Sequence, residues 1–221
     1  MKIFLLIFFA VFLVQASTDR TKEIFAEDIV SLQVKLLLTS VKELNANCSE
    51  NISNLENVLH DVEKCIVESM SFKTTTICGI AKAHYKKCME PMKNAVVGCV
   101  DKESQGIPPF IINTIDNLIN YICGGKGKYF FELTNPCFWR REDDSFKTCE
   151  KLLTDKIKKW SEETFTVSDI CGLFDSAKDC FYDHLRNGCK NTVTLEAFGG
   201  VYEALSKECK DSKSLLTNDL K

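Results

Sequence analysis

The sequence lacks the composition that marks several classes of protein. Its 221 residues include only four prolines and ten glycines, which excludes collagen-like and linker-rich chains. Basic and acidic side chains nearly balance, 28 against 31, whereas domains that bind nucleic acid by bulk charge are markedly basic. With 45% apolar and 27% charged residues, the composition is that of a globular protein. We therefore expect one large or two small folded domains and no nucleic-acid partner.

Catalytic and metal-binding motifs are missing from the sequence as well. It contains no His-Glu-x-x-His pair, no Gly-x-Ser-x-Gly nucleophile elbow and no phosphate-binding loop. Thioredoxin-like redox motifs and zinc knuckles have two cysteines separated by two residues, and this sequence contains no such pair. Asp183 and His184 are neighbours on a predicted helix, so they point in different directions and cannot form a proton relay. The sequence predicts no enzyme, no metal ion and no cofactor.

The N-terminus predicts the compartment in which the protein is found. Lys2 precedes an unbroken apolar run, Ile3 to Val14, and Val14 with Ala16 supplies the small residues of a cleavage site. This pattern predicts a secretory signal peptide over residues 1–16, because the run is too short to span a membrane. Cleavage would remove one of the 28 basic residues and shift the formal net charge from −3 to −4. No later apolar run is long enough to span a membrane, so we expect a secreted, extracellular protein.

The twelve cysteines fit an extracellular compartment, where disulfides form and persist. We interpret all of them as disulfide residues: Cys48, Cys65, Cys78, Cys88, Cys99, Cys123, Cys137, Cys149, Cys171, Cys180, Cys189 and Cys209. Two Asn-x-Ser sequons predict N-glycosylation at Asn47 and Asn51. The case for Asn47 is weaker, because oxidation of Cys48 before the glycan is attached would block the site.

Apolar residues repeat at helical spacing along most of the chain, and strand patterns are nearly absent. We predict an all-α, disulfide-rich bundle of about seven helices, in which Pro91 can bend or split one helix. The apolar faces lie within residues 25–36, 52–66, 78–99, 111–122, 146–160, 170–185 and 195–209. The predicted organisation is an N-terminal helical segment, a cysteine-rich helical domain and a polar tail, at residues 17–70, 71–210 and 211–221.

The cysteine spacing also predicts an internal duplication. In each copy an Ile-Cys-Gly start is followed by a second cysteine, a Gly-Cys pair and, after an amphipathic segment, a fourth cysteine. We expect two duplicated helical hairpins, residues 77–123 and 170–209, that pack on one another. The cysteines concerned are Cys78, Cys88, Cys99 and Cys123 in one copy, and Cys171, Cys180, Cys189 and Cys209 in the other.

An antiparallel hairpin in the first copy restricts its disulfides. Cys78 and Cys88, if they lie on one continuous helix, are about 15 Å apart and cannot bond each other. Cys123 and Tyr85 lie at about the same distance from the loop that connects the two helices. Tyr85 is closer to Cys88 than to Cys78. We therefore predict a Cys88–Cys123 bond, with Cys78 as the alternative partner of Cys123.

The same distance argument leaves two partners open for Cys209 in the second copy. At equal distance from the loop, Cys209 lies opposite Phe174, between Cys171 and Cys180, so we expect it to bond one of those two. Cys99 and Cys189, at the loop ends, must then reach outside their own hairpins. Their expected partners are Cys48, Cys65, Cys137 and Cys149.

The middle of the chain carries a recognisable set of features. The spaced cysteines of the first copy are followed by NTIDNLINYIC from Asn113, and then by GGKGKYFFELTNPCF, which ends on Cys137-Phe138. The cysteine series continues to Cys209. In this combination the chain resembles the insect twenty-seven-kilodalton haemolymph glycoprotein family, a domain family of unassigned function. The resemblance implies a secreted, glycosylated protein of haemolymph, saliva or venom, and it supplies no catalytic residues.

Two functional hypotheses follow, both non-catalytic. The first is a secreted binding protein, in one version a carrier of a small apolar ligand, which requires an enclosed apolar cavity. The alternative is a salivary, venom or immune effector that binds a macromolecular target. Its candidate contact patch is Phe138, Trp139 and Arg140, because aromatic and arginine side chains dominate protein interfaces. We expect a monomer in either case.

Overall fold

The structure is a computed structural model that describes residues 52–69, 76–126, 132, 135, 137, 144–160 and 166–218. These residues contain six α-helices and no strand: α1 (Ile52–Ser69), α2 (Ile77–Val97), α3 (Ile107–Tyr121), α4 (Asp144–Trp160), α5 (Val167–Gly188) and α6 (Thr192–Asn218). The predicted all-α, disulfide-rich class is confirmed. The signal peptide and the predicted helix at residues 25–36 lie outside the described residues.

The chain divides into two compact units, Met1–Pro108 and Pro109–Lys221, and the boundary falls in the first turn of α3. In the first unit α1 packs against α2. Leu55, Leu59 and Val62 on α1 and Met89, Met92 and Val96 on α2 are buried at intervals of three or four positions, as one face of a helix requires, and Ile80 is buried near the start of α2. Burial of these faces joins the two helices.

Pro91 lies inside α2 and does not split it. Proline has no amide hydrogen, so the carbonyl of Lys87 loses its usual intrahelical donor. Because Pro91 is on the exposed face of α2, water can solvate that carbonyl. Cys78 and Cys88 therefore lie on one continuous helix, as the exclusion of a bond between them assumed.

The predicted Cys88–Cys123 bond is wrong, because Cys88 is bonded to Cys65. The hairpin argument considered only the helix that follows α2. The preceding helix packs against α2 and brings the Cα atoms of Cys65 and Cys88 to 5.5 Å. The alternative partner of Cys123, Cys78, stays a prediction.

In the second unit α4, α5 and α6 form two successive antiparallel pairs. Cys149 on α4 bonds Cys180 on α5, and Cys171 near the start of α5 bonds Cys209 on α6. The predicted partnership of Cys209 with Cys171 or Cys180 is thus confirmed, with Cys171 as the partner. Cys189 bonds Cys137, outside its own hairpin, as expected.

Between the disulfides, the α5–α6 seam is filled with aromatic and aliphatic side chains. Phe198 on α6 has its ring centroid 5.9 Å from that of Phe181 and 5.1 Å from that of Tyr182. Only three residues, Cys189 to Asn191, connect the two helices, which favours an antiparallel arrangement. The buried residues of the seam are Leu173, Phe174, Ala177, Leu185, Ala197, Val201 and Leu205.

Helix α6 contains two adjacent glycines where two tyrosines approach its backbone. A Cβ atom at Gly199 would lie 2.7 Å from Oη of Tyr182, and one at Gly200 would lie 2.6 Å from Cζ of Tyr121. A glycine inside a helix costs roughly 1 kcal/mol relative to alanine. At Gly200 the ring of Tyr121, at the end of α3, takes the space of the missing side chain.

Gly124 and Gly125, which follow Cys123, lie in a helical segment. Residues Ile122–Lys126 continue α3 as a π-helical segment. At the other end of the chain, α6 runs from Thr192 to Asn218, so it extends into the segment predicted as a polar tail. None of the described helices is long and apolar enough to cross a membrane.

Candidate functional site

The polar residues along the α5–α6 seam hold the two helices together. Oη of Tyr202 on α6 donates a hydrogen bond to Oδ1 of Asp175 on α5 at 3.0 Å. Nζ of Lys178 lies 5.1 Å from the centroid of the Tyr202 ring, close enough for a cation–π contact. Burial and this hydrogen bond to Asp175 raise the pKa of Tyr202 to about 12. The phenol is therefore protonated at neutral pH, where it serves as a hydrogen-bond donor.

A second polar group fastens α3 to α6. The amides of Asn113 and Asn117 on α3 donate to the two carboxylate oxygens of Glu208, at 3.2 and 2.9 Å. Nζ of Lys207 in turn donates to Oδ1 of Asn117 at 3.4 Å. Glu208 is adjacent to Cys209, so this group lies beside the disulfide to α5. These hydrogen bonds connect α3 to α6 and have a structural role.

Asp183 and His184 lie in different surroundings, as their adjacent positions on a helix predict. Asp183 is exposed, whereas His184 has 0% of its surface accessible. The carboxylate therefore cannot orient the imidazole. Among the described residues, no three His, Cys, Asp or Glu side chains are grouped so that they could hold a metal ion.

One shallow depression that described residues line is on α2. Its walls are Lys86, Lys87, Glu90, Pro91 and Asn94, which we call the α2 surface. These positions are three or four residues apart or adjacent, so they share one face of the helix. The depression is shallow and open to solvent. It is therefore not the enclosed apolar cavity that a carrier of a small apolar ligand requires.

The α2 surface is positively charged. Helix α2 contains four lysines and a single glutamate, Glu90, and no aspartate. Glu90 forms an ion pair with Lys93, so its charge is compensated within the helix. The carbonyl of Lys87, which Pro91 deprives of its usual intrahelical donor, adds an acceptor to the same face. The ammonium groups of this face can bind the anionic groups of an acidic partner, and the carbonyl oxygen can accept a hydrogen bond from an N–H or O–H group of the same partner.

Sequence reasoning missed the α2 surface. The sequence did contain an indication of it. Lys86, Glu90 and Asn94 follow one another at intervals of four residues, and Pro91, which has no amide hydrogen, lies beside them. A run of charges on a helix is ordinarily solvated surface, and the sequence alone does not show which helical face is left uncovered.

Several residues singled out from the sequence lie outside the described part of the chain. They are the sequon residues Asn47 and Asn51, the cysteine Cys48 and the aromatic patch of Phe138, Trp139 and Arg140. The other eleven predicted disulfide residues are described, and all eleven are disulfide-bonded.

Comparison with known proteins assigns the chain to a family. The family described as "Protein of unknown function (DUF1397)" matches residues 31–210, most of the chain. The chain belongs to the DUF1397 family. The match includes all six described helices except the end of α6. It also confirms the resemblance to a haemolymph glycoprotein family of unassigned function, because a protein of that name is among the relatives.

That relative of this DUF1397 protein is the "27 kDa hemolymph glycoprotein" of Manduca sexta, 22% identical over 127 residues. The alignment covers 56% of this chain and 54% of the relative. A shorter match is to one component of the NADH-quinone oxidoreductase of Rickettsia conorii (strain ATCC VR-613 / Malish 7), 32% identical over 85 residues, covering 37% of this chain and 43% of that component. The chain thus spans about half the length of the curated relatives it matches. No solved structure matches it.

Proposed function

We propose that this DUF1397 protein is a secreted, haemolymph-type glycoprotein that acts without catalysis, by binding a macromolecular target at its surface. The observation that carries the proposal is the disulfide bonding of all eleven described cysteines. Disulfides of this number form in oxidising, extracellular compartments. The similarity to a hemolymph glycoprotein supports the same compartment.

The packing of the described polar residues favours binding over catalysis. The hydrogen-bonding groups of the second unit connect helix to helix, as Tyr202 does with Asp175 and Glu208 does with Asn117. A hydrolytic site would require a nucleophile, a base and an orienting group within hydrogen-bond reach of one another. The polar contacts described above contain no such set, whereas the α2 surface offers exposed charge. We therefore place the candidate interface on the α2 surface.

The chemistry of the α2 surface selects an acidic partner. Lys82 is exposed on α2 one turn before Lys86, and Lys87 is exposed beside it, so the positive charge extends along the helix. Such a surface attracts a negatively charged protein or polysaccharide, and reversal of its charges should act mainly on the rate of association. Binding should also weaken with rising ionic strength.

The experiment begins with the natural secretion and ends with matched variants. Native mass spectrometry of the protein purified from that fluid identifies what co-purifies with it. Binding of that molecule is then measured for the double variant Lys82→Glu/Lys87→Glu. The matched control is Lys190→Glu/Lys210→Glu, which makes the same change of net charge at two exposed lysines elsewhere. We expect the first variant to weaken binding about tenfold at low salt and the control to leave it unchanged.

Other outcomes would contradict parts of the proposal. A co-purified lipid would support the carrier hypothesis and dismiss a surface interface. Equal weakening by the two double variants would show that net charge, and not the α2 surface, governs binding. Loss of binding in Trp139→Ala, with helical circular dichroism intact and the α2 variant unaffected, would move the interface to the aromatic patch of Phe138, Trp139 and Arg140.

A further inference from the structure

We propose that the duplicated unit is larger than a hairpin: the chain is two consecutive copies of a three-helix unit with six cysteines each. The first copy contains α1, α2 and α3, and the second contains α4, α5 and α6. In chain order, the cysteines of the first copy are Cys48, Cys65, Cys78, Cys88, Cys99 and Cys123. Those of the second are Cys137, Cys149, Cys171, Cys180, Cys189 and Cys209.

All three disulfides of the second copy are defined. Numbered by their order in the copy, its first cysteine bonds the fifth, its second bonds the fourth, and its third bonds the sixth. These bonds are Cys137–Cys189, Cys149–Cys180 and Cys171–Cys209. The second copy therefore supplies a connectivity against which the first copy can be compared.

The first copy has one defined bond, and it matches. Cys65 and Cys88 are the second and fourth cysteines of their copy. In each copy this bond joins the first helix to the second, with Cα atoms 5.5 Å apart. One partner of each bond, Cys88 or Cys149, is almost completely buried, with 1% of its surface exposed. This agreement is independent of the spacing argument, which used neither α1 nor α4.

The packing of α3 on α6 gives a second indication of duplication. The two helices are antiparallel, because Asn113 contacts Glu208 at one end and Tyr121 packs on Gly200 at the other. Halfway between these contacts, residue 117 of α3 lies at the level of residue 204 of α6. When Cys123 is matched to Cys209, the equivalent of residue 117 is residue 203. At the midpoint of their contact, each helix therefore lies within one residue of its equivalent position on the other, as in a two-fold symmetric contact.

The count of bonded cysteines limits the remaining pairings. Besides the eight in the four defined bonds, Cys78, Cys99 and Cys123 are also disulfide-bonded. Three is an odd number, and the sequence predicts Cys48 as the twelfth disulfide residue, so we infer that Cys48 bonds one of these three. Cys78 cannot bond Cys99, because 21 positions of a continuous helix and its cap separate them by about 30 Å, against the 7 Å or less that a disulfide permits. The partner that we infer for Cys48 is therefore Cys99 or Cys78.

The connectivity of the second copy selects between these two solutions. Its first cysteine bonds the fifth, which assigns Cys48 to Cys99. The remaining pair, third with sixth, is Cys78 with Cys123. The competing solution, Cys48–Cys78 with Cys99–Cys123, would give the two copies different connectivities.

Peptide mapping of the non-reduced protein can decide the question in one digest. A lysine or arginine follows every cysteine before the next one in the sequence, so trypsin places each of the twelve on a separate peptide. After enzymatic removal of N-glycans, we expect the peptide of residues 43–64, with Cys48, to be linked to that of residues 94–102, with Cys99. A link from residues 43–64 to residues 74–82, with Cys78, would overturn the proposal. The four defined bonds serve as internal controls in the same digest.

Thiol labelling of a single variant gives an independent readout. In Cys48→Ser, secreted and purified without reductant, we expect a maleimide probe to label Cys99 stoichiometrically and Cys78 not at all. Labelling of Cys78 would instead establish the competing connectivity. As a matched control, Cys137→Ser should expose Cys189, the equivalent cysteine of the second copy.

Discussion

The second helices of the two proposed copies, α2 and α5, are each bonded to the helix before them and present opposite charges to solvent. These bonds are formed by Cys88 on α2 and Cys180 on α5. Helix α2 has four lysines against one glutamate, whereas α5 has four aspartates against one lysine and one arginine. The cysteines determine which helices are joined, and the exposed charged positions do not affect that choice. Binding properties can therefore differ between the proposed copies although the equivalent bonds Cys65–Cys88 and Cys149–Cys180 agree.

The two helices also begin differently. Thr76 caps α2 by accepting a hydrogen bond from the amide of Gly79. Thr166 caps α5 as part of a capping box, in which the Asp169 carboxylate accepts from the Thr166 amide while Thr166 Oγ1 accepts from the Asp169 amide. An acidic residue in the first turn also interacts favourably with the helix dipole. The start of α5 is thus fastened by two reciprocal bonds where the start of α2 has one.

Removal of the equivalent disulfides Cys65–Cys88 and Cys149–Cys180 is expected to have the largest effect. They close loops of 23 and 31 residues, for which the chain-entropy model gives about 3.5 kcal/mol each. We expect the double variants Cys65→Ala/Cys88→Ala and Cys149→Ala/Cys180→Ala to lose similar amounts of unfolding free energy in urea titrations followed by circular dichroism. A loss in one of them more than twice that in the other would show that the copies are not energetically equivalent.

Gly200→Ala is expected to have the next largest effect. The new methyl group would overlap the ring of Tyr121, and overpacking of this kind costs about 1–3 kcal/mol. The gain in helix propensity offsets at most about 1 kcal/mol of that cost. Thermal melting should therefore show a lower Tm. Replacing Tyr121 by leucine in the same chain should restore part of the loss.

Gly172→Ala on α5 is the matched control for that substitution. No atom lies within 4 Å of a Cβ built at Gly172, and its position is exposed. There the propensity effect acts alone and should stabilise the protein by about 0.5–1 kcal/mol. If both alanine variants were destabilised alike, contact with the tyrosine would not explain the glycine in α6.

The difference between the caps predicts a smaller, graded effect. Loss of an N-cap side chain costs about 0.5–2 kcal/mol. We expect Thr166→Ala to lie in the upper half of that range, because it also removes the hydroxyl of the reciprocal pair with Asp169, and Thr76→Ala in the lower half. Thr166→Ser and Thr76→Ser keep the accepting hydroxyl and should be close to wild type. Equal losses in the two alanine variants would remove the distinction between the helix starts.

The sequence predicted the elements that depend on local patterns. Apolar spacing predicts the six described helices, and the Cys171–Cys209 bond is one of the two that helix length and a three-residue connection allow. The Cys88–Cys123 prediction failed because the packing of α1 against α2 is a tertiary choice that spacing does not encode. The α2 surface was missed for a related reason, since periodicity does not show which polar face stays uncovered. Contacts between helices distant in the sequence, such as Asn117 with Glu208, carry no local signal.

The smallest expected effect concerns the Tyr202–Asp175 hydrogen bond of the α5–α6 seam. The folded pKa of Tyr202 is raised from 10.0 to about 12, so folding favours the protonated phenol. Its contribution to stability is fully present below pH 10 and is lost as the pH rises towards 12. Because the side chain is only partly buried, we expect a contribution of about 1 kcal/mol or less after solvent screening. Urea titrations at pH 8, 10 and 11.5 should show this loss in wild type, and Tyr202→Phe should lack it. Equal pH slopes for the two proteins would assign the alkaline loss to other groups.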